Sequence, residues 1–279
     1  VTARSRARAL LVNRALVVLL GLAMAFPLYL VFVFATHDDA RIMSSPAPLW
    51  FGPSLRENLG GLLALRPHFL QNLAVSLEAA AATAGLQMIL CSLAGYAFAM
   101  FEFKGKDLLF ALILATLLLP GFLGMIPHRM LIDRLGWANT VHGLVIPAAG
   151  GALGIFLMRQ YVGKAVSREL IEAAKLDGCS PTGVYWRVVL PVVRPAIAAL
   201  ALIAFLQSWT DVGRQLLTLH DMERYTATLA LASLAGNGHL PLGPIFAGAA
   251  ISMLPVLIVF ALCARSLFRT LVVESSGGG

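Results

Sequence analysis

The stretch ELIEAAKLDGCSPTGVYWRVVLPVV, residues 169–193, is charged and broken by glycine, yet it lies between two long apolar runs. Ser167 is placed to cap a helix running from Arg168 to Asp177, and Gly178 lets the chain leave that helix through positive φ. Ser180 followed by Pro181 reads as a second N-cap with proline at the first helical position, and TGVYWRVVL continues until Pro191 interrupts it. Two short helices joined at a glycine exceed what a connection needs, since a few residues suffice to link adjacent elements. The pattern predicts a shaped coupling element over 167–191.

The surrounding sequence places this element beside a membrane. Of 279 residues, 59% are hydrophobic and 13% are charged, and the mean hydropathy is +0.82. That leaves too little polar surface for an ordinary globule. Unpaired backbone groups in lipid restrict spanning structures to helices or closed barrels, and long continuous apolar runs select helices. The expected fold is therefore an all-α membrane protein with six transmembrane helices, near 14–35, 72–100, 107–126, 139–162, 195–213 and 243–264, in one transmembrane domain over 1–279. Pro120 interrupts the third span, and polar residues close the fifth. The first follows Arg4, Arg6, Arg8 and Arg14 but is too long for a signal-peptide core and precedes no small-residue cleavage pattern, so it is expected to be retained.

Orientation follows from lysine and arginine, which concentrate on the cytoplasmic side. With both termini inside, fourteen of the 21 fall in cytoplasmic segments and seven in outward ones, which puts residues 167–191 in the cytoplasm. The formal charge of +7 then needs no nucleic-acid partner, only membrane lipid around positive-inside loops. Cys91, Cys179 and Cys263 suggest neither a disulfide framework nor a metal site, and the six histidines show no ligand spacing. Outside the spans, the proline-rich segment 36–71 is expected to form an ordered lid or docking surface, and 214–242 to include a helix, first read as amphipathic at the outer interface and second as re-entrant. The tail SSGGG is expected to be flexible. Glu78, in SLEAAAATAG, is an intramembrane carboxylate, expected to face the bundle or sit near an interface because a mid-span charge costs about 2.5–3.5 kcal/mol.

Within the opening stretch, Glu172, Ala173 and Ala174, then three residues, Gly178, nine residues, and Val188 with Leu190 and Pro191 resemble the EAA loop of ABC importer permeases, with Val188 replacing an isoleucine. The resemblance extends through FPLYLVF, SLAGYAFAMFEFKGKDLLF, LLLPGFLGMIPHRMLIDRLGWANTVHGLVIP, GIFLMRQYV and FLQSWTDV, which are similar to the second permease of carbohydrate-type importers. FPLYLVFVFATHDDARIMSSP and RSLFRTLVVESS resemble in particular the permease of the sn-glycerol-3-phosphate importer. This family implies a bacterial cytoplasmic-membrane subunit that catalyses no chemistry itself. It implies a homologous second permease, an external solute-binding protein and a cytoplasmic ATPase dimer, which binds ATP and magnesium and grips Glu172, Ala173, Ala174, Asp177, Gly178, Leu190 and Pro191. The sequence carries no G-x-x-x-x-G-K-[ST] loop of its own.

The resemblance also puts solute-pathway residues at the outer end of the fifth span, where Gln207, Trp209, Asp211 and Arg214 crowd together. Arg214 has two readings: a bidentate partner for a phosphate, or a helix-end anchor paired with Asp211 one turn away. Three solute readings stay open, namely glycerol phosphate, a glycerophosphodiester, and a di- or oligosaccharide. Glu78 and Asp211 would also suit a stand-alone ion-coupled carrier. An intramembrane enzyme is disfavoured by the lack of HExxH or G-x-S-x-G.

Overall fold

The computed structural model describes the backbone of residues 3–236 and 241–276, and the side chains of 12–236 and 241–264. The predicted tail falls largely on residues 277–279, outside the described ones. Every regular element among the described residues is helical. Three helices are long and apolar enough to cross a membrane: Val12–Phe34, Phe69–Met100 and Leu242–Ala264. Two bent pairs, Lys106–Thr116 with Gly121–Leu135 and Pro181–Val192 with Arg194–Thr210, turn by 101° and 82° and raise the number to five if each is one span.

The expected third and fourth spans are not continuous helices. In the third, Pro120 lacks an amide hydrogen and disfavours helical backbone at Leu119, so the chain passes through the 3-10 turn Gly121–Gly124. In the fourth, Val141–Val145 and the fourteen-residue Ala152–Ala165 are separated by residues 146–151. Non-helical backbone at membrane depth requires polar partners. Gln87 supplies one, its Nε2 donating to the Ala148 carbonyl at 2.7 Å, and the Cys91 thiol points at the Gly151 carbonyl at 3.5 Å.

The chain divides into two compact units. The first holds residues 1–69 and 231–253. Here the segment after the N-terminal helix is ordered by Asn58, whose Nδ2 donates to the carbonyls of Ala35 and His37, both at 2.8 Å. Asp39 accepts from the Gly243 amide at 2.9 Å, and Phe34 meets Phe246 edge to face at 5.1 Å. The expectation of an ordered 36–71 segment is met, with helices Asp39–Ile42 and Leu55–Leu65 inside it.

The second unit, residues 70–230 and 254–279, contains the segment 167–191 that the sequence predicts to be a coupling element. Its largest core cluster joins Cys91 and Tyr96 to Met158 and Val162, and both to Ile171, Val184, Tyr185 and Val189. Helices approach closely where Gly95 faces Met158, since a Cβ at Gly95 would lie 2.5 Å from that side chain. Among its described residues the 214–242 segment carries the helices Val212–Thr218 and Ala227–Ala235 with the 3-10 turn Met222–Arg224 between them. Glu78, expected to face the bundle or sit near an interface, is exposed, next to the buried Ala79 and Ala80.

Candidate functional site: an anchored elbow and a polar cleft

The elbow forms as its residues dictate. Ser167 Oγ accepts from the Leu170 amide at 3.3 Å and starts the helix Arg168–Leu176. Asp177 ends it, Gly178 sits at φ +81°, and the Cys179 amide returns to the Ala174 carbonyl at 3.0 Å. A side chain at Gly178 would meet open space, so the left-handed backbone is what calls for glycine. Ser180 Oγ then accepts from the Gly183 amide at 3.1 Å, Pro181 occupies the first turn, and Tyr185–Val189 widens into a π-helix before Leu190 and Pro191.

The first helix has two faces. Ile171 and Ala174 are buried in the core cluster, whereas Glu172, Ala173, Lys175 and Asp177 are exposed and Leu176 is 89% exposed. The second half is anchored more deeply. Val184, Tyr185 and Val189 are buried, and the Tyr185 hydroxyl lies 2.6 Å from Ser92 Oγ on the Phe69–Met100 helix. Leu190 is half-buried, and Pro191 and Trp186 are exposed. A spine fixed to the transmembrane helices thus presents a small, charged and apolar surface outward.

The base of the elbow is tied by charge. Glu102 accepts from Lys106 at 3.2 Å and from Arg168 at 3.3 Å. The Lys106 hydrogen bond and charge, followed by Arg168, hold the Glu102 carboxyl below its ordinary pKa. That pairing is complete above the usual carboxylate range and is lost as pH falls through the lowered pKa.

At the other end of the unit, Asp211 and Arg214 come together as a closed pair. Asp211 Oδ2 accepts from Arg214 Nε at 2.9 Å and from its terminal nitrogen, while Oδ1 accepts from the Arg214 amide at 3.1 Å and caps Val212–Thr218. The pair stands between two clefts. One, of about 410 Å³, is lined by Gly121, Phe122, Met125, His128 and Leu217. The other, of about 450 Å³, is lined by Thr83, Gln87, Thr116, Gln207 and Ser208, with backbone of 147–151. Gln207 therefore shares a cleft with Arg214. Trp209 lines neither: it is 3% exposed and stacks on Phe205 at 5.4 Å, against Ala80 and Ala84. Its size and apolarity are spent on packing.

Two amides escaped the reading of the sequence. Gln87 lines the larger cleft, and Gln215, buried, donates to the Ser208 carbonyl at 3.0 Å and accepts from Thr226 at 2.6 Å. Their signal was an amide inside an apolar helix, which needs partners when buried. Among the described residues there is no group of His, Cys, Asp and Glu arranged to hold a metal.

A permease of an sn-glycerol-3-phosphate transport system from Pectobacterium atrosepticum is 33% identical over 259 residues, 90% of this chain and 92% of that one. Its Salmonella typhi counterpart is 30% identical over 91% of this chain and 93% of its own. A permease of an arabinooligosaccharides transport system from Halalkalibacterium halodurans is 31% identical over 69% of each chain. In fold, the chain matches a chain in the crystal structure of a bacterial ABC transporter involved in the import of the acidic polysaccharide alginate. The TM-score is 0.76 at 21% identity, covering 95% of this chain and 98% of the other. Residues 89–271, which include the elbow and the Asp211–Arg214 pair, match the binding-protein-dependent transport system inner membrane component, and the chain belongs to that family of ABC importer permeases.

Proposed function

We propose that this permease pairs with a homologous second permease, crosses the bacterial cytoplasmic membrane six times with both termini inside, and imports a small hydroxylated solute. The solute arrives from an external binding protein and is moved at the expense of ATP hydrolysed by a cytoplasmic ATPase dimer. The observation that carries this reading is the two-faced helix Arg168–Leu176: Ile171 and Ala174 sit in the transmembrane core while Glu172, Ala173 and Leu176 are left uncovered. A helix rigidly fixed on one face and open on the other transmits motion from a motor as a rigid body. The exposed Glu78 supports a second permease, because an intramembrane carboxylate on the outside of one subunit favours a protein partner over lipid.

For the solute, the glycerol-phosphate systems of two relatives make sn-glycerol-3-phosphate or a glycerophosphodiester the first reading. A di- or oligosaccharide is the second. It is favoured by the arabinooligosaccharide relative and by Arg214, whose charge is already answered by Asp211. Reconstituting the chain with the permease, ATPase and binding protein encoded beside it tests the assembly. Ala173→Cys should crosslink to the ATPase. Uptake by the chain alone in liposomes without ATP would instead establish an ion-coupled carrier. Titrating the binding protein with glycerol phosphate and with oligosaccharides decides the solute.

A further inference from the structure

A second charged cleft lies at the base of the elbow, where Phe69–Met100 and Ala152–Ala165 end and Lys106–Thr116 begins. Its volume is about 330 Å³, and Lys106, Arg159, Lys164 and Arg168 line it against a single carboxylate, Glu102. Glu102 is already shared by Lys106 and Arg168. Among the described residues Arg159 and Lys164 have no carboxylate within ion-pair distance. The Arg159 guanidinium is instead held over the Phe110 ring, 3.8 Å from its centroid, which fixes its position without neutralising it. Phe98, Ala99 and Gly163 supply an apolar and open wall.

We propose that this cleft binds the phosphate of an anionic phospholipid headgroup, on the face of the bilayer that carries the coupling elbow. The chemistry shared by all candidate ligands is a phosphate anion meeting two uncompensated cations. Continuity with an apolar surface selects the lipid as its source. The Lys106–Thr116 helix, which opens the cleft with Lys106, leaves Leu108, Leu109 and Leu112 exposed along its length, where acyl chains would lie. Basic pockets between membrane helices are suited to anionic headgroups, and each lysine or arginine near the surface contributes roughly a fivefold preference. Arg168 is also the first residue of the coupling helix, so a bound headgroup competes with Glu102 for it and alters how firmly the elbow is tied.

The test uses the purified full chain in bilayers mixing phosphatidylglycerol with phosphatidylcholine, with retained lipid identified from the masses of chain–lipid complexes. The wild type is expected to retain phosphatidylglycerol preferentially. Lys164→Gln, on an exposed side chain that leaves the fold intact, should lower that enrichment roughly fivefold. Arg159→Gln combined with Lys164→Gln should lower it further, while Lys104→Gln, outside the cleft, should leave it unchanged. Unaltered enrichment in Lys164→Gln, or an equal loss in Lys104→Gln, overturns the site. A second arm places the chain in phosphatidylcholine alone with inorganic phosphate and follows acylation of Lys164. Protection by inorganic phosphate, without protection by phosphatidylglycerol, would assign the cleft to a soluble anion and overturn the lipid.

Discussion

Ser92 Oγ and the Tyr185 hydroxyl lie 2.6 Å apart in the interior, so the long helix Phe69–Met100 and the second half of the elbow share one buried hydrogen bond. Ser92 also reaches the Ile89 carbonyl at 3.1 Å, whereas among the described residues this serine is the only hydrogen-bond partner of the tyrosine hydroxyl. The two deletions should therefore differ. Ser92→Ala strands a buried hydroxyl and should cost about 1–3 kcal/mol, while Tyr185→Phe leaves Ser92 satisfied and should cost about 0.5–1.5 kcal/mol. Thermal unfolding of the detergent-solubilised chain measures both. A larger loss for Tyr185→Phe would show that the bond is not what joins the two elements.

Glycine at position 95 is set by the neighbouring helix. A Cβ there would stand 2.5 Å from the Met158 side chain and 2.8 Å from the Arg159 amide nitrogen, and backbone cannot step aside cheaply. Gly95→Ala should destabilise the chain by about 1–3 kcal/mol despite alanine's better helix propensity. Gly85→Ala, ten residues earlier on the same helix and with nothing within 4 Å, should be neutral or slightly stabilising in the isolated chain. Comparing the two melting temperatures separates packing from propensity.

The elbow was legible in the sequence because its determinants are local: Ser167, Gly178, Ser180 and Pro181 each act within a few residues, and each adopts its expected role. The long helices were legible for a similar reason, as continuous apolar runs. The breaks in the third and fourth expected spans were harder to read. Pro120 announced one, but the gap at 146–151 depends on Gln87, some sixty positions away, and hydropathy alone cannot encode that partner. Trp209 shows the same limit in the clefts. Its neighbours Gln207 and Asp211 do line clefts, yet helical rotation turns the indole toward Phe205 and the alanines Ala80 and Ala84. The family resemblance put Trp209 with the solute-pathway residues, whereas the indole is packed into the core against Phe205.

The Asp211–Arg214 pair makes a charge-sensitive element beside both clefts. Asp211→Asn frees a cation there while keeping an oxygen to cap Val212–Thr218, and Arg214→Gln leaves a lone carboxylate. Each single change should cost on the order of 1 kcal/mol, since the pair is about one-third exposed and partly screened. The double variant Asp211→Asn with Arg214→Gln should recover part of that loss. Transport sharpens the comparison. If Arg214 must stay neutralised for a neutral solute, Asp211→Asn reduces uptake and the double variant restores it. If Arg214 itself binds phosphate, Arg214→Gln and the double variant both stay inactive. Uptake rates of the four proteins in vesicles holding the complete transporter distinguish these outcomes.

Leu176 and Ile171 lie on opposite faces of the same short helix, and their substitutions should fail in different ways. Ile171 is buried with Val162, Val184 and Val189, so Ile171→Asp places an unpaired charge in the core and should reduce folded protein. Leu176 is 89% exposed, and Leu176→Asp removes no contact within this chain. On stability alone it should fall within about 0.5 kcal/mol of the wild type. Docked against an ATPase, an exposed leucine at the tip of a helix would be buried, worth about 1.5–3 kcal/mol, or roughly ten- to a hundredfold in affinity. Leu176→Asp should therefore insert and melt normally yet co-purify poorly with the ATPase, whereas Ile171→Asp should be depleted before any partner is met. Normal ATPase recovery with Leu176→Asp would mean that this face of the elbow is not where the motor grips, and attention would pass to Trp186 and Pro191 on the second half.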